Sequence, residues 1–330
     1  MLKKLTAALL ALCLLLPLIA GAEDAPSPTP VPTPAPTPIP IVPLTDEEIP
    51  DTPEGLHYYL LLCSDRSEST SDDPGNTDGI MLIALDTMAN RMMLISFVRD
   101  MLVLRPDGVY GRINGISKRF SPEDMVATLN SHFGLRIKKY ILVDWSGVAE
   151  IIDALGGVDL TLTNGEAIRL KDKMAYMSDW AQPELNGAGA YRLRGYAAVT
   201  YMRIRSETPV NGEQYDYRRT SRARAVIASL VESLRSISWQ SALQLATSTI
   251  WNCISGTNLT LADVVEAATI TFSLRSAEVE QFRVPIDGTG DEFIYLNMAT
   301  QQIDVPANRE ALQNFLFNTY TVQGTGEEWD

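Results

Sequence analysis

Tyr58-Tyr-Leu-Leu-Leu-Cys63, Gly79-Ile-Met-Leu-Ile-Ala-Leu85 and Met92-Met-Leu-Ile-Ser-Phe97 are three neighbouring runs that are apolar at almost every position. A strand with one wet face alternates apolar and polar residues. A run without that alternation belongs in a sheet covered on both faces. Asp86-Thr-Met-Ala-Asn90 between the second and third runs has the length of a hairpin loop. These runs set the fold class as α/β.

The residues downstream supply the covering helices. Ser121-Pro-Glu-Asp124 places Ser at the N-cap, Pro at N1 and an acid at N3, so a helix starts there, runs to about Phe133 and ends at Gly134. Tyr140-Ile-Leu-Val143 reads as a strand. Ser146 then caps a helix whose Val148, Ile151, Ile152 and Leu155 recur at helical spacing, Gly156-Gly157 ends it, and Val158–Leu162 resumes a strand. Further helices are expected over Gly195–Tyr201, Arg219–Leu234, Ser241–Trp251 and Leu261–Ala268, the last capped by Thr260 with Asp263 at N3. The expected architecture is a three-layer α/β/α fold.

Upstream, Lys3-Lys4, an apolar run from Leu5 to Ile19 and Ala20-Gly-Ala22 read as a secretory signal peptide over residues 1–22. Uncleaved, the same run is long enough to anchor in a bilayer; Pro17 and the small residues favour cleavage. Residues 23–55 follow as a Pro/Thr-rich linker. Its alternating prolines from Ala25 to Pro43 favour an extended spacer of about 3 Å per residue that forms no core. The folded part is expected over 56–318, with core motifs in 58–235 and a helical C-terminal completion over 236–318; 319–330 is a frayed tail. After export only Cys63 and Cys253 remain. Two cysteines make no disulfide framework, and Cys63 in an apolar strand reads as a buried thiol. His57 and His132 are isolated and suggest neither a zinc site nor a triad.

The formal net charge is −14, which excludes a polyanion such as nucleic acid as partner. Against that background, Arg203, Arg205, Arg218, Arg219, Arg222 and Arg224 fall close together with no lysine among them. Guanidinium forks match phosphate oxygens bidentately, so the concentration reads as a local anion site. Arg219 and Arg222 share a helix face, and Arg203 and Arg205 share a face if Tyr201–Arg205 is extended. Arg218 and Arg224 read as solvated. Carboxylates supply a second feature: Asp65 follows the first strand, Asp78 precedes the second, and Arg99-Asp100 follows the third. If the first two strands are neighbours, Asp65 and Asp78 reach one sheet edge. One or two carboxylates plus substrate phosphates are the usual Mg²⁺ donor set, although turn residues would look the same.

Six blocks in order resemble the LytR–CpsA–Psr family of cell-envelope phosphotransferases. They are Leu-Leu-Cys-Ser-Asp65; Asn76-Thr-Asp78-Gly; Ser96-Phe-Val-Arg99-Asp100; Arg112-Ile-Asn114-Gly; Val143-Asp-Trp-Ser-Gly-Val with Ala154-Leu-Gly-Gly-Val-Asp159; and Leu193-Arg-Gly through Tyr201-Met-Arg203-Ile-Arg205, then Asp216-Tyr-Arg-Arg219-Thr-Ser-Arg222. The resemblance implies a mixed central sheet between helices, enclosing an apolar tunnel for a polyprenyl chain. It implies a pyrophosphate at the mouth under arginines with Mg²⁺, and transfer of a glycan phosphate to peptidoglycan at the outer membrane surface or in the cell wall. By resemblance, Asp65 and Asp78 hold the metal; Arg99, Arg203, Arg205 and Arg219 are catalytic; and Arg222, Asn76, Asn114 and Asp100 bind substrate.

Two departures from the family pattern matter, and a third is smaller. Asn76 stands where the family has arginine, Ala223 where it has glutamine, and Val98 where it has proline. Arg66 and Arg224 are the candidates to replace the lost fork. Two readings stay open on these residues: a working phosphotransferase, and a polyprenyl-pyrophosphate-binding module with weakened catalysis. A regulatory reading, which the family's older label as a transcriptional attenuator suggests, is set aside because the chain is acidic, carries an export signal and has no DNA-binding motif.

Overall fold

The computed structural model describes residues 37–66, 75–175, 184–213 and 217–321, so the expected signal, the first part of the linker, Asp216 and the end of the tail lie outside the described residues. The three apolar runs are β1 (Leu56–Ser64), β2 (Thr77–Asp86) and β3 (Arg91–Phe97), paired antiparallel in succession. Thr87–Asn90 closes the hairpin between β2 and β3, with Asn90 in the left-handed region at φ 53°. β4 (Leu102–Leu104) and β5 (Tyr110–Arg112) form a small separate pair.

α1 (Pro122–Phe133) begins at the Ser121 cap and ends at Gly134, whose φ of 66° suits glycine. It leads into β6 (Lys139–Asp144), which joins β1 in parallel. α2 (Trp145–Ala154) follows directly. Its cap is Asp144, not Ser146: the Asp144 carboxylate accepts from Gly147 N at 2.8 Å and from the Ser146 hydroxyl at 2.7 Å.

β7 (Val158–Leu162) and β8 (Gly189–Leu193) pair with each other and, with α3 (Asn164–Met174) and α4 (Gly195–Met202), enclose a second core. α3 carries a capping box, Thr163 with Glu166, which was legible in the sequence as Thr-x-x-Glu but was not among the expected helices. α5 (Tyr217–Leu234) runs along the sheet. Beyond it, Trp239–Gln244 is α-helical and Leu245–Ile250 widens to a π-helix.

The segment 236–318 is more than helical. Besides α6 (Leu261–Ser273) and α7 (Val305–Thr321) it supplies β9 (Ile254–Thr257), β10 (Val279–Val284), β11 (Gly290–Tyr295) and β12 (Met298–Ile303). β9 and β10 complete the mixed central sheet, ordered β10-β3-β2-β1-β6-β9, with β10 parallel to β3. This confirms a three-layer α/β/α fold. The strand pleat divides the apolar residues. Leu60, Leu62, Leu82, Met93 and Ile95 pack against α1 and α7 in the main core, whereas Tyr59, Leu85 and Met92 join a core with α5 and α6.

The described end of the linker is not a free spacer. Ile41 is buried in the main core, Leu44 N donates to Ser131 O at 2.7 Å, and Arg136 grips the carbonyls of Asp46, Ile49 and Pro50. An extended proline-rich chain has unpaired backbone groups, and here the domain satisfies them. Cys63 and Cys253 are both free and buried.

Candidate active site

Asp78 owes its position to an irregularity in β2. Cys63 pairs with Gly79 but Ser64 pairs with Thr77, leaving Asp78 as an extra residue on that strand. Such a bulge re-aims a side chain at the end of a sheet. The carboxylate is clamped: Oδ1 accepts from Arg99 Nη1 and Oδ2 from Arg219 Nη2, both at 2.8 Å. Burial opposes ionisation of Asp78, but the Arg219 and Arg99 guanidiniums outweigh it and hold the carboxyl below its ordinary value. The same burial lowers the Arg219 pKa, opposed by its bond to Asp78. Arg219 Nη1 has no hydrogen-bond partner among the described residues.

Around this clamp, Arg99 Nε lies 3.3 Å from Asp100, and Asn114 is buried with its N–H on the Arg99 carbonyl. Asp65 is exposed. Its Oδ1 accepts from Asn76 N at 2.5 Å, closing the gap between β1 and β2. Gly75, at φ 71°, packs so tightly there that a Cβ would lie 2.6 Å from the Asp65 carboxylate.

Arg203 caps the C-terminus of α4 at φ −89° and ψ 0°, so Tyr201–Arg205 is a helix end and not an extended stretch. Ile204 is wholly buried while Arg203 and Arg205 on either side are exposed. Neither makes an ion pair among the described residues, and Arg203 lies 5.6 Å from the centre of the Trp145 ring. Gly195 allows α4 this position, because a Cβ there would collide with the Ala149 carbonyl of α2.

Arg222 goes elsewhere despite its spacing from Arg219. Fully buried, it bonds Glu166 at 2.8 Å and the carbonyls of Ile204 and Glu207. It thus holds the loop that carries Arg203 and Arg205, without facing a ligand. Arg218 and Arg224 are not the solvated residues expected. Arg218 donates to the Ser206 carbonyl at 2.9 Å, and buried Arg224 bonds Glu213, Ser96 and Gln281. Arg224 therefore has no fork to offer in place of the one absent at Asn76.

Beneath the clamp lies an apolar cavity of about 290 Å³ between the sheet and helices α2 and α5. Its floor includes Leu61, Cys63, Met81, Ile83, Ile141 and Val143, the pleat face opposite the main core. Ala223, Ile227 and Leu230 of α5 line it, and Asp78 and Arg219 border it. Met81 thus faces the cavity, whereas Met93 and Ile95 are plain core. Burial raises the Cys63 thiol pKa, and the Asp78 carboxylate adds to it, so the thiol is a neutral part of the floor. A second and more open groove, about 1020 Å³, lies on another face of α5 and is lined by Ser229, Ser233 and Ser236 among others.

Among the described residues no three His, Cys, Asp or Glu side chains gather as a metal cage. The donor set still suits Mg²⁺, which takes one or two carboxylates and completes its shell with water and substrate phosphates. Each Asp78 oxygen keeps a second lone pair beyond its arginine, and the Asp65 carboxylate is exposed.

A sequence model described as the LytR_cpsA_psr family matches residues 51–312. Biofilm regulatory protein A of Streptococcus mutans is 23% identical over 175 residues, covering 51% of this chain and 41% of that one. The polyisoprenyl-teichoic acid–peptidoglycan teichoic acid transferase TagU of Bacillus cereus is 29% identical over 181 residues, covering 54% and 53%. This chain spans about half the length of these curated relatives. A solved structure of TagT bound to LI-WTA superposes with a TM-score of 0.64 at 16% identity, covering 84% of this chain and 96% of that one; at that identity it establishes the fold.

Proposed function

The chain belongs to the LytR_cpsA_psr family, and on that premise we propose that it transfers a glycan phosphate from a polyprenyl-pyrophosphate carrier to peptidoglycan. One observation carries this reading: the apolar cavity ends at Arg219, Asp78 and the arginines beside them. A prenyl chain suits the cavity, and a pyrophosphate suits forks bordering it. The name of TagU, a transferase of polyisoprenyl-linked teichoic acid, fits the same substrate class.

In the proposed reaction an acceptor hydroxyl attacks the glycan-bearing phosphorus. The bond from that phosphorus to the bridging oxygen breaks, polyprenyl phosphate leaves with the electron pair, and the hydroxyl proton passes to solvent. Arg99, Arg203, Arg205 and Arg219 supply fixed positive charge where negative charge grows on the leaving group. Asp78 orients Arg99 and Arg219. Asp100 and Asn114 support Arg99, and Arg222 steadies the Arg203–Arg205 loop. Asn76 contributes its backbone to Asp65. Asp65 and Asp78 would hold Mg²⁺, which when bound supplies further neutralisation of the phosphate oxygens. The proposed domain is 56–318 with the 37–55 strap, exported to the outer face of a bacterial membrane or the cell wall.

Incubating the protein with a polyprenyl-pyrophosphate-linked saccharide and peptidoglycan tests the reading. Release of polyprenyl phosphate together with labelled peptidoglycan is expected. Binding without release would favour the module with weakened catalysis. Asn76 supports that second reading, because no arginine of α5 replaces its missing fork.

A further inference from the structure

We propose that the indole N–H of Trp145 is a hydrogen-bond donor to the carrier's pyrophosphate, at the point where the prenyl chain meets its headgroup. This rests on the transfer reading above and adds a residue that it does not use.

Trp145 is the first residue of α2, directly after its Asp144 cap. It borders the apolar cavity together with Cys63, Asp78 and Arg219. The Arg203 guanidinium lies 5.6 Å from the centre of its ring. The residue therefore stands where the apolar wall gives way to the charged rim. A tryptophan suits such a boundary, having a large apolar body and a single polar handle.

That handle has nothing to hold. Trp145 Nε1 is closed off from solvent and has no acceptor among the described residues. Leaving a buried donor unsatisfied is unfavourable, and such groups in native proteins call for an explanation. Arg219 Nη1 is a second orphan donor and borders the same cavity. Two residues that border one cavity, each with an orphan donor, point to a ligand that brings acceptor oxygens, and the pyrophosphate is where this ligand carries them.

Trp145→Phe removes the N–H and keeps an aromatic ring under Arg203. The full chain and this variant would be titrated by calorimetry with farnesyl pyrophosphate, farnesol and inorganic pyrophosphate, alongside thermal melts. A hydrogen bond to a charged acceptor is worth about 1.5–3 kcal/mol, so the variant is expected to bind farnesyl pyrophosphate roughly tenfold or more weakly. Its affinity for farnesol should be unchanged, and its melting midpoint equal or higher, because an orphan donor has gone. Unchanged affinity for farnesyl pyrophosphate would overturn the proposal. So would a lowered midpoint with a parallel loss of farnesol, since the N–H would then be structural. If the wild-type protein binds farnesyl pyrophosphate no better than farnesol or inorganic pyrophosphate, the transfer reading fails and this proposal with it. A null result confined to the variant leaves the transfer reading standing.

Discussion

Replacing Asp78 with asparagine separates what the carboxylate does for the fold from what it does for the ligand. In the native protein its two oxygens each accept a 2.8 Å bond from a different guanidinium. Asparagine keeps one acceptor and turns an amide N–H₂ toward the other arginine. One charge-assisted bond is lost and the arginines lose their neutralising partner. Breaking a fully buried pair costs about 3–5 kcal/mol. Arg99, with 19% of its side chain exposed, can recover water, so about 2–3 kcal/mol is the expected loss. For a domain of this size that is a fall in melting midpoint of roughly 5–10 °C.

The pH dependence has a fixed sign. The folded carboxyl titrates below its unfolded value, so its contribution is complete above the unfolded pKa and is lost as pH falls through the folded one. The gap between wild type and Asp78→Asn should therefore be constant from neutral to mildly acidic pH and close only in strong acid. Inorganic pyrophosphate can replace the missing charge. At about 100 times the variant's Kd it would add roughly 2.7 kcal/mol to the variant, and less to wild type at the same concentration, because there Asp78 already occupies Arg99 and Arg219 and weakens the binding. Differential scanning fluorimetry across pH, with and without pyrophosphate, reads all three quantities. A variant that melts like wild type, or equal stabilisation of both by pyrophosphate, would refute the clamp.

Arg203→Ala and Arg205→Ala should each lower pyrophosphate affinity about tenfold or more with unchanged melting, since neither residue has an ion pair among the described residues, whereas Arg222→Ala should destabilise by about 3–5 kcal/mol by stranding buried Glu166. Titration and melts of the three variants check this contrast. Ala223→Leu should fill the cavity beside its rim and reduce farnesyl pyrophosphate binding while sparing inorganic pyrophosphate, as isothermal titration of both ligands would show. His132 is held down to about 4 by burial, and its ring accepts from Leu104 N, a bond that a protonated ring cannot accept. Its folded pKa lies below the unfolded value of about 6.5, so it contributes about 3 kcal/mol that is present above that pH and lost as pH falls toward the folded pKa. Urea melts of wild type and His132→Gln between neutral and acidic pH should show the wild type losing this increment and the variant not.

The three strand runs, the Ser121 cap and the Thr260 capping box were legible in the sequence because each rests on local chemistry. The ends of the central sheet were not. β9 and β10 are half-buried edge strands whose residues lack an unbroken apolar run, and β10 joins β3 across a long stretch of chain. The linker misled because proline content fixes an extended backbone but does not say what that backbone lies against. At the site, it was the resemblance of the ordered blocks that brought Arg99, Asp78 and Arg219 together, whereas spacing alone paired Arg219 with Arg222. Neither could show that Asp78 sits in a bulge, because a bulge is a property of the pairing with β1. Trp145 carried a signal that the charged residues obscured: a polar atom on an aromatic at the junction of strand and helix.

The arginine-rich helix α5 is best understood by asking where each side chain ends. Arg218 and Arg222 bond the backbone of the loop after α4, Arg224 pairs with Glu213, and Arg219 shares Asp78 with Arg99. Ala223, between two of them, turns its methyl group to the cavity. Successive positions on one helix point about 100° apart. α5 can therefore wall the cavity, brace the loop and border the anion site at once. Most of its positive charge is neutralised or bonded internally, and this leaves Arg203 and Arg205 exposed beside the rim. An acidic protein can thus present a small site of strong positive potential without a basic surface. The selectivity expected from this arrangement is for a compact dianionic headgroup attached to an apolar chain, because an extended polyanion would be repelled by a protein of net charge −14.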